Sequence, residues 1–370
     1  MPASDLPRPV PRPRDRRSGK AGRRALRAAV AGAACAAFSA AGVAVAAGPA
    51  LAAKKAAKKV PLIVYSAQGY DQAVVHAFQA ATGIPTQLDT NSTGPLLAQI
   101  QASKNNPHWG LLWVDGQTGF AALDDQHMLV RGFEPKVKWN SLGKKVIPKD
   151  KSFVPTGITF MTPILYTSKK VTKPPSSWST LLSAKWKGKV GMNTPSQSGP
   201  TYPFIAGMMT HLGGVTKGKQ YFEKLKANGL VVNPTNGTTL HALTSGQISV
   251  ALVQSSAAAG AAHTDPTLKL EYVNPVIMIP GNIGIDAKAT KTEIAEAKRF
   301  VDFVFSKLGQ AVMKTGTPTG DSLFYPVLQN DPPRPGLPSL SSVKVLHTDP
   351  YKWGPKENAI NTWFVNTITK

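Results

Sequence analysis

Apolar positions along this chain follow two alternating periods from residue 60 onward. Residues 60–65 (VPLIVY) form a nearly unbroken apolar run, the pattern of a strand buried on both faces. Past a turn at residues 66–70 the spacing changes. Val74, Ala77, Phe78 and Ala81 share one face of a helix that Asp71 would cap and Gly83 would stop. Residues 86–89 predict another strand. Gly94-Pro95 opens a second helix carrying Leu96, Leu97 and Ile100, and residues 111–114 predict a third strand followed by Asp115-Gly116. Such strand–helix alternation argues for a parallel α/β layer.

The same grammar resumes after a Lys-, Pro- and Gly-rich surface stretch at residues 131–157. Residues 157–166 are apolar and predict a crossing strand. Trp178, Leu181 and Leu182 mark a short helix after Pro174-Pro175, residues 189–193 a strand, and Pro200 the start of a helix running toward Leu212. Further on come a helix at 221–227, strands at 230–232 and 248–253, and between them a helix at 239–244 ended by Gly246. Residues 273–285 read as a return crossing. One long helix then places Ile294, Ala297, Phe300, Val301, Val304, Phe305 and Leu308 on one face, with Thr290 and Glu293 as its capping box. Residues 331–341 (DPPRPGLPSLS) connect to a Trp-containing tail, and no tandem repeat occurs.

Composition narrows the class. With 370 residues, 17% charged and 42% apolar, the bulk is globular and long enough for two domains. The one cysteine, Cys35, leaves no disulfide framework, thiolate chemistry or Cys-based metal site in the folded part. Residues 1–52 stand apart: a basic start with Arg16, Arg17, Arg23, Arg24 and Arg27, an Ala/Val/Gly run, then Ala50-Leu51-Ala52. That is the anatomy of a secretory signal cleaved near Ala52. Arg23-Arg24-Ala25-Leu26 matches a twin-arginine signal only in part, and Gly32 stands where a lipobox ahead of Cys35 has Leu. The formal charge is +23, of which residues 1–52 carry +7, leaving +16 on the rest. Those later lysines are scattered singly, apart from Lys54, Lys55, Lys58 and Lys59 in a basic tether at 53–59. The charge therefore reads as an aid to anionic ligands or an anionic envelope surface, with no nucleic-acid partner.

Two loops share one chemical design. Asn91-Ser92-Thr93-Gly94-Pro95 and Ser196-Gln197-Ser198-Gly199-Pro200-Thr201 each precede a helix. Proline suits the first helical turn, glycine admits a close backbone approach, and hydroxyls with free amides face the positive end of the helix dipole. Facing one another, the pair would hold a carboxylate, phosphate or phosphonate without a fixed countercharge. Ordinary helix capping is the plainer reading of either loop alone. Asn236-Gly237-Thr238-Thr239 offers a third helix start of this kind. Ser66, Gln68 and Tyr70 follow the first strand, on the usual ligand side of an open α/β sheet. Catalytic patterns are weak. The seven histidines are scattered without an HxxxH or HExxH pair, and no GxSxG elbow is present. Residues 213–219 (GGVTKGK) nearly spell a P-loop, but Gln220 replaces its Ser/Thr. A rival secreted hydrolase would use Asp115 with a histidine, and Asp124-Asp125 are a further pair of candidate acids or metal ligands.

Several soft motifs, in order, carry a resemblance. They are Val64-Tyr65-Ser66-Ala67, residues 161–203 with Lys185-Trp186-Lys187-Gly188-Lys189-Val190 inside, Ile279-Pro280-Gly281-Asn282-Ile283, residues 297–310 (AKRFVDFVFSKLGQ), and residues 338–346. From residue 60 to about 367 the chain resembles the iron(III)/2-aminoethylphosphonate-type branch of ABC extracytoplasmic solute-binding proteins. The resemblance implies a two-lobed α/β fold of class II, periplasmic-binding-protein-like, with lobes joined by crossing hinge strands. Its lobes would be residues 60–163 with part of 281–330, and 164–280, with 331–370 packing on them as connector and tail. It implies a monomer with no enzymatic activity and no cofactor, which hands a small solute to an ABC permease and its cytoplasmic ATPase. It would touch the membrane only through that permease or an anchor. Iron-binding members carry adjacent tyrosines where this chain has Gln254-Ser255-Ser256-Ala257, so hard anionic ligands for Fe(III) are missing there. An organophosphonate or phosphorylated solute is the leading expectation, and few acidic residues are expected in the cleft. Ser66, Gln68, Asn91, Ser92, Thr93, Gly94, Ser196, Ser198, Gly199, Thr201, Gln254 and Ser255 are the candidate contacts. An iron(III) carrier of the same fold, a secreted hydrolase and an envelope adhesin stay open.

Overall fold

A computed structural model describes residues 60–161, 164–317, 320–341 and 343–370. The expected signal, tether and Cys35 lie outside them. Strand β1 (Leu62–Ser66) pairs in parallel with β2 (Thr86–Thr90) on one side and β3 (Leu111–Asp115) on the other, as the alternating pattern predicts. Between them run α1 (Asp71–Thr82) and α2 (Thr93–Ala102). Gly83, at φ 66°, closes α1 by donating its N–H to the Gln79 carbonyl. Asp71 does not cap this helix. Tyr70 occupies the cap position, and the Asp71 carboxylate accepts from the Gln72 N–H at 2.6 Å.

After α3 (Thr118–Asp125) and α4 (Ser141–Val146), strand β4 (Phe153–Phe160) leads out of the first lobe. The expected single crossing strand at 157–166 is thus two strands, β4 and β5 (Ile164–Thr167), which belong to different sheets. In the second sheet, β6 (Val190–Asn193) lies parallel to β7 (Val231–Asn233) and β8 (Val250–Leu252). There β5 runs antiparallel to β8 and β9 (Leu268–Glu271). Helices α5 (Thr201–His211), α6 (Val215–Ala227), α7 (Asn236–Thr244) and α8 (Ser255–Thr264) complete this lobe.

The chain returns through β10 (Val276–Ile285), antiparallel to β4 and to β3. Every residue of β4 and β10 is buried. The two-residue period of β10 serves both lobes. Val276 and Met278 join the core around Phe78, Trp113 and Phe300, whereas Ile277 and Ile279 join the core around Phe204 and Phe222. A strand shared in this way ties the two cores without merging them.

The long helix predicted after residue 290 begins with its capping box in place, Thr290 accepting from the Glu293 N–H. It does not run through Leu308. Helix α9 (Lys291–Val304) stops, and Ser306 caps a separate α10 (Lys307–Thr315) by accepting from the Gly309 N–H. Leu308 is consequently 53% exposed. Beyond the connector, β11 (Val345–Leu346) adds to β10, and α11 (Pro350–Trp353) and α12 (Glu357–Phe364) form the tail. That tail touches both lobes. Tyr351 Oη donates to Asp124 at 3.0 Å, while the Trp353 carbonyl accepts from Tyr202 Oη and Phe364 packs on Phe222.

Candidate functional site

The two hydroxyl-rich loops meet. The Gly94 N–H donates to the Gln197 carbonyl at 3.4 Å, joining the start of α2 in one lobe to the loop before α5 in the other. Side chains are excluded at this contact. A Cβ on Gly94 would stand 2.2 Å from the Ser196 carbonyl oxygen, and one on Gly199 would stand 2.3 Å from Thr93 Oγ1. The glycines are therefore required by the close approach of the two lobes here.

Beside this contact lies a cavity of about 180 Å3. Three helix starts open onto it: Ser92 and Thr93 before α2, Ser198 to Pro200 before α5, and Thr235 to Gly237 before α7. Gln254, at the start of α8, adds a fourth. The loops are held by Asn193 at the end of β6. Its Nδ2 donates to Ser198 Oγ (3.0 Å) and Asn236 Oδ1 (2.7 Å), and its Oδ1 accepts from Thr239 Oγ1 (2.6 Å). One buried amide thus sets the position of two helix starts, and neither lysine nor arginine lines the cavity.

The lining also carries acids, against expectation. Asp115, at the end of β3, and Asp321 both line the cavity. Gln68 Nε2 donates to Asp115 Oδ1 at 3.0 Å. Asp321 accepts from the Gly69 N–H (2.7 Å) on the first lobe and from Gln254 Nε2 (3.2 Å) and Ser256 Oγ (3.4 Å) on the second. Burial, then the neighbouring Asp321 charge, push the Asp115 carboxyl up to about 7, despite hydrogen bonds from Gln68 and Gln254. Burial likewise raises Asp321, opposed by the Gly69 N–H. The Tyr70 phenol, buried beside both carboxylates, is held well above its ordinary value. Two acids sharing a poorly solvated recess with no countercharge favour either a proton or a bound cation between them.

The expected contacts divide on this geometry. Ser92, Thr93, Ser198, Gly199 and Gln254 line the cavity, and Gln68 lines the small inner recess behind it. Gly94 makes the lobe-to-lobe contact instead. Others are consumed by structure. Ser66 Oγ is buried and accepts from the Gln68 N–H, Asn91 Oδ1 accepts from the Ser92 N–H, and Ser196 Oγ pairs with Thr194 Oγ1. Ser255 Oγ accepts from the Phe160 N–H, fastening α8 to the hinge strand β4. Thr201 is fully buried, its Oγ1 without a partner. Asp321 escaped the sequence reading because it lies in an irregular segment far along the chain. Asp115 was legible as an acid after a strand, but nothing in the sequence tied it to Asp321. No histidine lines the cavity, as the hydrolase reading would need. Among the described residues no group of three or more His, Cys, Asp or Glu is placed to hold a metal ion. No helix among them is long and apolar enough to cross a membrane.

Comparison with known proteins agrees with this architecture. A Salmonella paratyphi A periplasmic protein named for 2-aminoethylphosphonate binding is 23% identical over 260 residues, 67% of this chain and 74% of the relative. The periplasmic binding protein AfuA of Actinobacillus pleuropneumoniae, solved with fructose-6-phosphate bound, superposes with a TM-score of 0.74. It is 21% identical, and the match covers 84% of this chain and 99% of AfuA. Iron-bound HitA of Pseudomonas aeruginosa superposes at 0.68 with 19% identity, over 82% of this chain and 99% of HitA. These neighbours are two-lobed periplasmic binding proteins, which are transport components and not enzymes. Residues 73–327 match the model of the bacterial extracellular solute-binding proteins, so the chain belongs to that family, whose exported members serve ABC transporters.

Proposed function

We propose that this protein captures a short zwitterion, an aminoalkylphosphonate or similarly small phosphorylated amine, and releases it intact to an ABC permease with its cytoplasmic ATPase. The observation that carries the reading is the polarity of one cavity. Helix starts from both lobes line it, and so do Asp115 and Asp321. Anionic oxygens suit the helix starts, where backbone N–H groups and the helix dipoles converge. An ammonium suits the acids, and it would relieve the repulsion between them. A cavity of about 180 Å3 favours a molecule far smaller than a hexose phosphate. The relative named for 2-aminoethylphosphonate binding supports this choice. Ser92, Thr93, Ser198, Gly199 and Gln254 would be the anion-side and bridging contacts, with closure of the lobes as the mechanism. Secretion by cleavage near Ala52, monomeric action, and lobe limits near residues 163 and 280 belong to the same reading.

Calorimetry with 2-aminoethylphosphonate, ethylphosphonate, ethylamine, fructose-6-phosphate and Fe(III) tests it. The zwitterion should bind at least tenfold more tightly than either half molecule and emerge chemically unchanged. Preference for ethylphosphonate or Fe(III), or hydrolysis of the bound compound, would refute the proposal.

A further inference from the structure

Asp115 ends β3 opposite Gly281 of the hinge strand β10, where β10 shifts register against β4 between Gly281 and Asn282. An irregularity of this kind re-aims side chains and leaves backbone carbonyls for other groups to satisfy. Three consecutive residues, Pro280-Gly281-Asn282, use it to build a seat for the acid. The Pro280 carbonyl accepts from the Gly116 N–H at 2.8 Å. Gly281 leaves open a place where a Cβ would stand 3.0 Å from Asp115 Oδ1 and 3.3 Å from Thr156 Oγ1. Asn282 is fully buried, and its Nδ2 donates to the Gly116 carbonyl at 3.2 Å and to the Pro280 carbonyl at 2.9 Å. Gly116 is thus held by both its N–H and its C=O.

The Asn282 amide is itself oriented from outside the sheet. Its Oδ1 accepts from Gln117 Nε2 at 3.1 Å, and the same Gln117 nitrogen donates to the Val146 carbonyl at 2.6 Å. Gln117 Oε1 accepts from His347 Nε2 at 3.0 Å, in the segment that follows β11. An amide oxygen only accepts, so His347 carries a proton on Nε2 and every link from the tail to Gly116 runs in one direction. Gly116, at φ 90°, also lies against the second lobe. A Cβ there would stand 2.8 Å from Pro203 Cγ and 3.4 Å from the Gly199 carbonyl oxygen. Any displacement of Gly116 therefore moves the acid and this lobe contact together.

We propose that Asn282 is a positioning residue for solute binding: by clamping Gly116 it holds the Asp115 carboxylate where a solute ammonium meets it. Aspartate has a short side chain with few rotamers, so the place of its carboxylate follows the backbone at 115–116 closely. The clamp stands on the strand that both lobes share, since β10 also sends Ile277 and Ile279 into the core of the second lobe. The acid is thereby set relative to both halves of the cavity. This inference rests on the ammonium role proposed above for Asp115.

The test uses the full chain with Asn282→Ala and Gly281→Ala, each made alone and together with Asp115→Asn. Asn282→Ala removes the clamp. Gly281→Ala sets a methyl group against the carboxylate without deleting a hydrogen bond, and it carries the test if Asn282→Ala fails to fold. Calorimetry compares 2-aminoethylphosphonate with ethylphosphonate, which lacks the ammonium. Each variant should weaken the zwitterion by roughly fivefold or more, leave ethylphosphonate within about twofold, and cost little further once residue 115 is Asn. A merely structural role would weaken both compounds alike and persist in the Asp115→Asn background, and either result overturns the proposal. If the wild-type chain binds neither compound, the ligand reading fails by itself, and the seat is still read without solute. Carbon NMR of carboxyl-labelled aspartate follows Asp115, assigned by its loss in Asp115→Asn. That resonance should titrate about half a pH unit or more lower in Asn282→Ala, as the released carboxylate gains solvent. An unchanged midpoint would overturn the placement.

Discussion

Replacing Asp115 by Asn removes one charge from the cavity while keeping an oxygen for Gln68 Nε2 to donate to. An unfolded aspartate is protonated only below about pH 4. Folded Asp115 holds its proton up to about 7, so between these values the native state binds the extra proton. This group's contribution to stability is therefore fully retained in acid and is lost as pH rises through that window. A displacement from 3.8 to about 7 is about 3 units, or a ceiling of about 4 kcal/mol at 1.36 kcal/mol per unit. Relaxation around a half-buried group and sharing of the proton with Asp321 roughly halve it, so Asp115→Asn should stabilise the ligand-free protein by about 1–3 kcal/mol at pH 8 and by almost nothing at pH 3, where the carboxyl is protonated in both the folded and the unfolded chain. Urea denaturation at the two pH values reads the difference. Calorimetry should show the opposite sign for function: 2-aminoethylphosphonate affinity falls at least tenfold, and ethylphosphonate affinity holds or rises. A stability change equal at both pH values, or a loss at pH 8, would refute the uncompensated-acid argument.

Gly94→Ala should weaken solute binding by roughly tenfold or more, about 1.4 kcal/mol, because its Cβ would strike the Ser196 carbonyl and prop the lobes apart; urea midpoints should barely move, and an unaltered affinity would mean this contact is dispensable. Ser92→Ala and Ser198→Ala each remove a cavity-facing hydroxyl and should cost about 0.5–1.5 kcal/mol of binding, read by calorimetry. If neither weakens the solute, the anion side has been misplaced. Phe300→Ala deletes a fully buried ring packed edge-on against Phe78 at 5.0 Å and near Trp113 at 5.9 Å. It should cost about 3–5 kcal/mol of stability in urea titrations, with affinity little changed among molecules that remain folded.

Residue order alone determined the local elements wherever period and punctuation agreed. The apolar run at β1, the stop at Gly83, and the Thr290–Glu293 box each depend on neighbours a few residues away, and each stands where the pattern places it. The break at Ser306 did not follow from periodicity, since a face of apolar residues continues across it while a short-range cap ends it. Both glycine loops were legible as helix starts for the same local reason. Their meeting was not, because a contact between Gly94 and Ser196 depends on how β4 and β10 carry one lobe back onto the other. Only the tertiary structure decided which hydroxyls face the cavity. Ser66 and Ser255 satisfy backbone N–H groups, which a buried fold cannot leave unpaired. It also brought Asp115 within the field of Asp321, 206 positions later in the chain. Charge acts through space and not along sequence, so that pairing, and the ligand polarity it implies, existed only once the chain had closed on itself.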